Sequence, residues 1–74
     1  MEQRVIQILC QVNENIGSYK GERMLEEQVI DSFDVMQMVE RLEEEFGITI
    51  NADDIISEHF ANAEAVIHMM QRYV

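Results

Sequence analysis

The chain has 74 residues and a formal net charge of −10, from fifteen acidic and five basic side chains. This length allows one small domain, expected to span residues 1–74, with little room for a deep pocket that excludes water, so independent catalysis is not expected. The charge argues against nucleic acid and anionic membranes as partners, whose phosphates would be repelled, and favours partners with basic faces.

The composition predicts an all-α fold. A single cysteine, Cys10, excludes an intrachain disulfide, and no Cys/His group has the spacing of a structural zinc site. With no proline and only three glycines, long helical runs are uninterrupted.

The opening Met-Glu-Gln-Arg lacks the features of a signal peptide and no segment could span a bilayer, so we expect a cytoplasmic protein without membrane insertion.

The first predicted helix covers about residues 2–15. Its apolar side chains repeat at helical spacing: Val5, Leu9, Val12 and Ile16. Gly17-Ser18 ends this helix, and a long connection follows over residues 19–30. That length is unusual for a structureless loop, so we expect the loop to be functional or packed down by its apolar residues, which are Met24, Leu25, Val29 and Ile30.

The second predicted helix, about residues 32–46, has the clearest pattern. One apolar stripe gathers Val35, Met38, Val39, Leu42 and Phe46. Asp31 is a natural N-cap, and Gly47 has the position of a glycine that follows a helix C-terminus.

The last third of the chain predicts two further helices. Residues 48–50 are β-prone but too short and isolated to build a sheet. Asn51 can cap a short third helix over about residues 52–58. A fourth helix, about residues 62–73, places one apolar set together: Ala63, Val66, Ile67, Met70 and Val74. The pattern indicates a bundle of three or four helices.

Ser32 is the candidate site for chemistry, because a hydroxyl in the first turn of a helix is not covered by an earlier turn. The face of the second helix that points away from the core stripe carries Phe33, Gln37, Glu40 and Glu44, with Met36 beside them. An apolar anchor with an acidic rim has the composition of a small docking site. A solitary exposed aromatic residue, or a Phe33 folded back on the long loop, explains the pattern equally well.

The sequence resembles the acyl and peptidyl carrier proteins. The resemblance rests on residues 31–34 (Asp-Ser-Phe-Asp), the apolar positions Met36, Met38-Val39 and Ile48, and residues 42–46 (Leu-Glu-Glu-Glu-Phe) at the spacing of that family. It covers residues 29 to about 70. It implies a free-standing carrier with a small four-helix bundle, a short third helix and a long loop between the first two helices.

The resemblance also implies a cofactor and partners. Ser32 would be esterified with 4′-phosphopantetheine from coenzyme A by a phosphopantetheinyl transferase, and Asp31 would belong to the cofactor-binding site with it. The thiol of that arm would hold an acyl or aminoacyl group for a loading ligase and for downstream transferases or synthases. Asp34, Glu40 and Glu44 could pair with arginine or lysine on these enzymes, each pair being weak enough to allow release. The expected state is a monomer.

Departures from the family pattern leave the pathway open. Val29-Ile30 stand where a glycine and a small residue are common, which is closer to stand-alone aminoacyl carriers such as the D-alanyl carriers. Gln37 replaces an acidic residue often used in docking, and Glu40 and Arg41 occupy positions that are apolar and small in fatty-acid carriers. Fatty-acid, polyketide, peptide and D-alanylation systems all remain candidates.

Two other function classes are compatible with the residues. One is a carrier-like adaptor or regulatory subunit that bears no cofactor, and the other is a small enzyme with Ser32 as its nucleophile. The isolated histidines, His59 and His68, give no catalytic triad. The acidic residues Asp53, Asp54 and Glu58 lack the ordered ligand loop of a cation site. We therefore expect no metal site and no catalytic residue.

Overall fold

Three α-helices form the fold, and no β-strand is present in the computed structural model, which describes all residues from Met1 to Val74. The helices are α1 (Glu2–Val12), α2 (Ser32–Phe46) and α3 (Ala63–Met70). Short 3₁₀ turns occupy Glu14–Ser18, Ala52–Asp54 and Ser57–Phe60. The all-α prediction and the bundle of three or four helices are confirmed, but the four-helix count that the resemblance implied is too high by one.

Helix α1 ends three residues earlier than predicted. Asn13 leaves the helix in an extended conformation, and its side-chain oxygen accepts a hydrogen bond from the Asn15 amide at 3.0 Å. A short polar side chain that bonds to a nearby backbone amide competes with the helix ladder. The chain therefore continues as the 3₁₀ turn Glu14–Ser18.

The long loop between α1 and α2 is packed down by its apolar residues. Met24 and Ile30 are buried, and the Met24 carbonyl accepts hydrogen bonds from the amides of Val29 and Ile30 at 2.9 and 3.2 Å. Gln28 closes this turn with a φ of 62°, a conformation that side chains other than glycine seldom adopt. The loop thus delivers Asp31 and Ser32 to the start of α2 from a fixed anchor.

Helix α2 has the predicted bounds and caps. The side chain of Asp31 accepts a hydrogen bond from the Asp34 amide at 2.9 Å, and Asp34 reciprocates toward the Asp31 amide at 3.3 Å. This capping box satisfies two donors that the helix ladder leaves free. Gly47 ends the helix with a φ of 63°, a left-handed conformation that glycine adopts without strain because it has no Cβ.

The predicted third helix is replaced by two 3₁₀ turns, separated at Ile55-Ile56. Forming the first turn of a helix is unfavourable in free energy, because several residues are ordered for one hydrogen bond. A short segment therefore needs tertiary contacts to become helical. The adjacent β-branched residues lower its helix propensity. In addition, the Asp54 carbonyl lies 2.7 Å from His59 Nδ1, a contact outside the helix ladder.

The predicted fourth helix is present as the shorter α3. Asn62 caps it by accepting a hydrogen bond from the Ala65 amide at 2.8 Å. The predicted stripe is buried at Val66, Ile67 and Met70, whereas Val74 lies beyond the helix and is exposed, so its placement on the buried side was wrong.

Helix α1 packs against both α2 and α3. One apolar core joins all three helices and both connecting segments, and no polar or charged residue is buried. Its members are Val5, Ile8, Leu9, Ile16, Met24, Ile30, Val35, Met38, Leu42, Ile50, Phe60, Val66, Ile67, Met69 and Met70. None of the helices combines the length and hydropathy that crossing a lipid bilayer requires.

Candidate functional site

Ser32 is the first residue of α2 and its side chain is exposed. The Asp31 carboxylate is directed at the amide of Asp34, so the amides of Ser32 and Phe33 have no hydrogen-bond acceptor within the chain. Free amides at a helix N-terminus attract anionic groups, since the helix dipole is positive there. The site therefore presents an accessible hydroxyl beside two unpaired donors.

Asn13 is a residue of this site that the sequence patterns did not reveal. Its side-chain amide donates to the Val29 carbonyl at 2.9 Å and to the Asp34 carboxylate at 3.3 Å. It therefore joins the end of α1 to the loop and to the capping box of α2. Val29 and Asp34 follow Asn13 by 16 and 21 positions, so only the tertiary fold brings them into contact with it. Asp34, predicted to meet basic partners, is half-buried and takes part in this internal network.

Replacing Asn13 with aspartate should lower the free energy of unfolding by about 1–3 kcal/mol, because two donated hydrogen bonds are lost and a second carboxylate faces Asp34. Urea unfolding of the variant measures the loss. Asn15→Asp is the matched control, because the Asn15 side chain makes no hydrogen bond. Equal midpoints for the two variants would show that the Asn13 bridge does not stabilise the fold.

An apolar groove of about 210 Å³ opens beside Ser32. Eight residues line it and six of them are hydrophobic. Apart from Ser32 and Ser57, the lining consists of Leu25, Val35, Met36, Ile55, Ile56 and Phe60. Phe60 is buried, whereas Met36, Ile55 and Ile56 stand at the exposed rim. The groove thus has a packed floor and an accessible apolar rim.

A second, more polar groove of about 550 Å³ meets Ser32 from the side of the loop. Its polar lining is contributed by Asn13, Gln28, Asp31 and Asp34. Ser32 lines both grooves. A group attached to its hydroxyl could therefore be directed either along an apolar surface or along one that offers hydrogen bonds.

The outward face of α2 is apolar near Ser32 and acidic farther along. Phe33 and Met36 are 67% and 69% exposed, so Phe33 does not fold back on the loop. Glu40 and Glu44 are exposed as expected, whereas Gln37 is half-buried. The structure extends this face with Ile55 and Ile56, at 38% and 39% exposure, which were not identified because they were assigned to a helix.

The two glutamates beside Glu44 make contacts within the chain. Glu43 accepts a hydrogen bond from the Ile50 amide at 2.9 Å. Glu45 pairs with Arg4 at 2.7 Å, and the hydrogen bond from that guanidinium lowers the pKa of the Glu45 carboxyl. Because both groups are exposed to solvent, the pair is a weak contribution to stability.

A comparison with protein families identifies the family of this chain. The family described as "Phosphopantetheine attachment site" matches residues 3–69. The chain belongs to this family. No curated protein and no solved structure matched the chain significantly.

Domains of the phosphopantetheine-attachment family carry a covalently bound cofactor, 4′-phosphopantetheine. The residues at the start of α2 fit such a group. The exposed hydroxyl of Ser32 offers an ester oxygen, and the amides of Ser32 and Phe33 offer donors to a phosphate. Domains of this family are carriers that interact with a phosphopantetheinyl transferase and with partner enzymes. The predicted family and cofactor are thereby confirmed.

The histidines and the cysteine of this carrier domain line neither of the two grooves that meet Ser32. His59 contacts the Asp54 carbonyl, and His68 is exposed on α3. Cys10 is half-buried on α1. The His, Cys, Asp and Glu side chains form no group of three that could hold a metal ion. The candidate site therefore consists of the α2 N-terminus and its two grooves.

Proposed function

We propose that this protein carries acyl or aminoacyl groups as thioesters on a 4′-phosphopantetheine arm attached to Ser32. The supporting observation is the exposed Ser32 hydroxyl at the junction of two grooves, in a chain whose family is defined by phosphopantetheine attachment. Residues 1–74 act as one domain around a continuous core. The proposed state is a monomer in the cytoplasm.

Loading transfers one phosphopantetheinyl group. The Ser32 oxygen forms a bond to phosphorus, the pyrophosphate bond of coenzyme A breaks, and adenosine bisphosphate leaves while the hydroxyl proton passes to the transferase. The amides of Ser32 and Phe33 would hold the anionic phosphodiester of the attached group. Once bound, the cofactor supplies a terminal thiol that forms thioesters. The protein supplies attachment and recognition, while the partner enzymes supply catalysis.

The dimensions of the apolar groove favour a short cargo. Its volume of about 210 Å³ is below the range of roughly 300–1,000 Å³ in which pockets enclose drug-sized ligands. The floor is already filled by the buried Phe60 and Val35. A small aminoacyl or short acyl group could rest on this surface without repacking the core. This argument agrees with the resemblance of Val29-Ile30 to aminoacyl carriers.

The docking face that we propose consists of Phe33, Met36, Gln37, Glu40 and Glu44, together with Asp34 at its inner edge. Phe33 and Met36 supply an exposed apolar centre about one helical turn from Ser32. The exposed carboxylates of Glu40 and Glu44 attract basic faces and accelerate encounter more than they add affinity. That combination suits a carrier that visits several enzymes in succession.

Phe33→Ala should weaken partner recognition without weakening the fold. An exposed side chain contributes little to folding, so the free energy of unfolding should change by less than about 0.5 kcal/mol. Truncating an aromatic anchor at an interface costs on the order of 1–2 kcal/mol, so the KM of a broad-specificity phosphopantetheinyl transferase should rise about tenfold.

The control is Ile6→Ala, which removes an exposed apolar side chain from α1. Its KM should match that of the unmodified sequence. A folded Phe33→Ala protein with an unaltered KM would show that Phe33 does not contact the transferase, and unfolding would show that its side chain is not free.

Mass spectrometry tests the attachment itself. After incubation with coenzyme A and a broad-specificity transferase, the intact mass should rise by one phosphopantetheinyl group, and peptide fragmentation should place that group on Ser32. No gain in mass with a transferase that loads a control carrier would favour the cofactor-free adaptor. A group found on another serine would reject the proposed site while leaving the carrier function.

A further inference from the structure

The segment after α3 is tied to the segment that supports the groove rim. The Tyr73 hydroxyl donates to the Asp54 carboxylate and accepts from the Asn51 amide at 3.0 Å. The Arg72 guanidinium pairs with the same carboxylate at 2.9 Å. We call these four residues, Asn51, Asp54, Arg72 and Tyr73, the C-terminal latch.

One residue of the latch, Asp54, directly precedes the groove rim in the sequence. Asp54 is followed by Ile55 and Ile56, whose side chains line the apolar groove beside Ser32. The flanking 3₁₀ turns contain only three and four residues. Turns of that length do not hold their own conformation, so the position of the two isoleucines depends on tertiary contacts.

Apart from the packing of Ser57–Phe60 against α3, the segment from Ile50 to Phe60 has few attachments to the rest of the fold. At its start, the Ile50 amide donates to Glu43 of α2, and at its end Phe60 is buried in the core. Between these points, the hydrogen bonds of the latch connect the segment to Arg72 and Tyr73. Within the segment, His59 contacts the Asp54 carbonyl. Loss of the Tyr73 hydroxyl would leave the Asn51 amide unpaired and Asp54 held by Arg72 and His59 alone.

We infer that Tyr73 is a positioning residue, which holds Ile55 and Ile56 at the groove rim and thereby favours productive docking of the enzyme that modifies Ser32. This inference rests on the proposed function of Ser32. The Tyr73 hydroxyl bonds to Asn51 and Asp54 and makes no hydrogen bond to Ser32 or its neighbours on α2, so Tyr73 acts through the rim. Its effect is on the fraction of molecules whose rim is in place, because apparent affinity falls in proportion to that fraction.

The protonation behaviour of the latch fits a contact that persists around neutral pH. The hydrogen bond from Tyr73 is the main cause of a lowered pKa of the Asp54 carboxyl, and the Arg72 charge acts in the same direction. The same bond raises the pKa of the Tyr73 hydroxyl. The contribution of Asp54 is present above the pKa of its unfolded state and is lost as the pH falls through the lowered value. The contribution of Tyr73 is present below its unfolded pKa and is lost as the pH rises through the raised value.

The experiment compares Tyr73→Phe, which removes only the hydroxyl, with the unmodified sequence. Loss of a hydrogen bond of ordinary strength lowers the fraction of molecules with the rim in place by up to about fivefold, so the KM of a broad-specificity phosphopantetheinyl transferase should rise about two- to fivefold. The kcat should be unchanged because Ser32 is untouched. In the same variant, the NMR methyl signals of Ile55 and Ile56 should shift and broaden.

Two controls separate positioning from general weakening. Arg4→Met breaks a side-chain bond to a carboxylate at Glu45, near the far end of α2 and about 20 Å from Ser32 along the helix. It should leave KM unchanged. In an Ile55→Ala, Ile56→Ala background, Tyr73→Phe should cause no further rise in KM, since the rim through which it acts is gone.

An unchanged KM for Tyr73→Phe, or the same rise in the background without the rim, overturns the inference. So do unshifted methyl signals of Ile55 and Ile56. If the unmodified protein is not loaded at all, the proposed function fails, but the methyl signals still decide whether Tyr73 holds the rim. The two failures are therefore distinguishable.

Discussion

Replacing Ser32 with alanine should abolish phosphopantetheine loading. The substitution removes the oxygen that forms the ester, so no change in the transferase concentration should restore the modification. The fold should persist because alanine is compatible with the first turn of α2 and the serine side chain is exposed, with a change in the free energy of unfolding of less than about 0.5 kcal/mol. Intact mass after incubation with coenzyme A and the transferase measures the effect.

Ser57 supplies the matched control. It lines the same apolar groove as Ser32 but is half-buried and begins a short 3₁₀ turn, not an α-helix. Ser57→Ala should be loaded as fully as the unmodified sequence. Loading of the Ser32→Ala variant would place the attachment elsewhere in the chain. Loss of loading in both variants would indicate that the groove, and not the Ser32 hydroxyl, limits the reaction.

The parts of this site that sequence patterns predicted are those determined by local physics. The start of α2 at Ser32, its Asp31 cap and its Gly47 end depend on residues within one or two turns, and all three are confirmed. The outward exposure of Phe33 follows from the helical period and is also confirmed. The attachment of a cofactor at Ser32 is not a local property, so it stays a prediction until it is measured.

The parts that were missed depend on contacts between distant residues. The bridge from Asn13 to the capping box spans 21 positions, and the bond from Tyr73 to Asp54 spans 19. Neither has a periodic signal. The wrong third helix has the same origin: its polar start and acidic first turn are typical of a helix, but Asp54 is committed to tertiary contacts and Ile55-Ile56 to the groove.

Phe60→Ala should have the largest effect on stability. Phe60 is 1% exposed and is the largest of the fully buried side chains. Truncating such a residue costs about 3–5 kcal/mol, through lost burial and the cavity that remains. A 74-residue domain at 0.05–0.15 kcal/mol per residue has a total of about 4–11 kcal/mol. The variant should therefore lose much of its stability, seen as a large fall in the urea midpoint, while Phe60→Leu, which leaves a smaller cavity, should lose less than Phe60→Ala.

The informative comparison is with Ile56→Ala at the exposed rim of the same groove. Ile56 is 39% exposed, so its truncation removes little buried surface and should lower the free energy of unfolding by less than about 1 kcal/mol. A large loss for Phe60 and a small loss for Ile56 would show that the floor of the groove maintains the fold while the rim is available to partners. Similar losses at both positions would instead indicate that the rim is part of the core, and that the groove beside Ser32 is closed in solution.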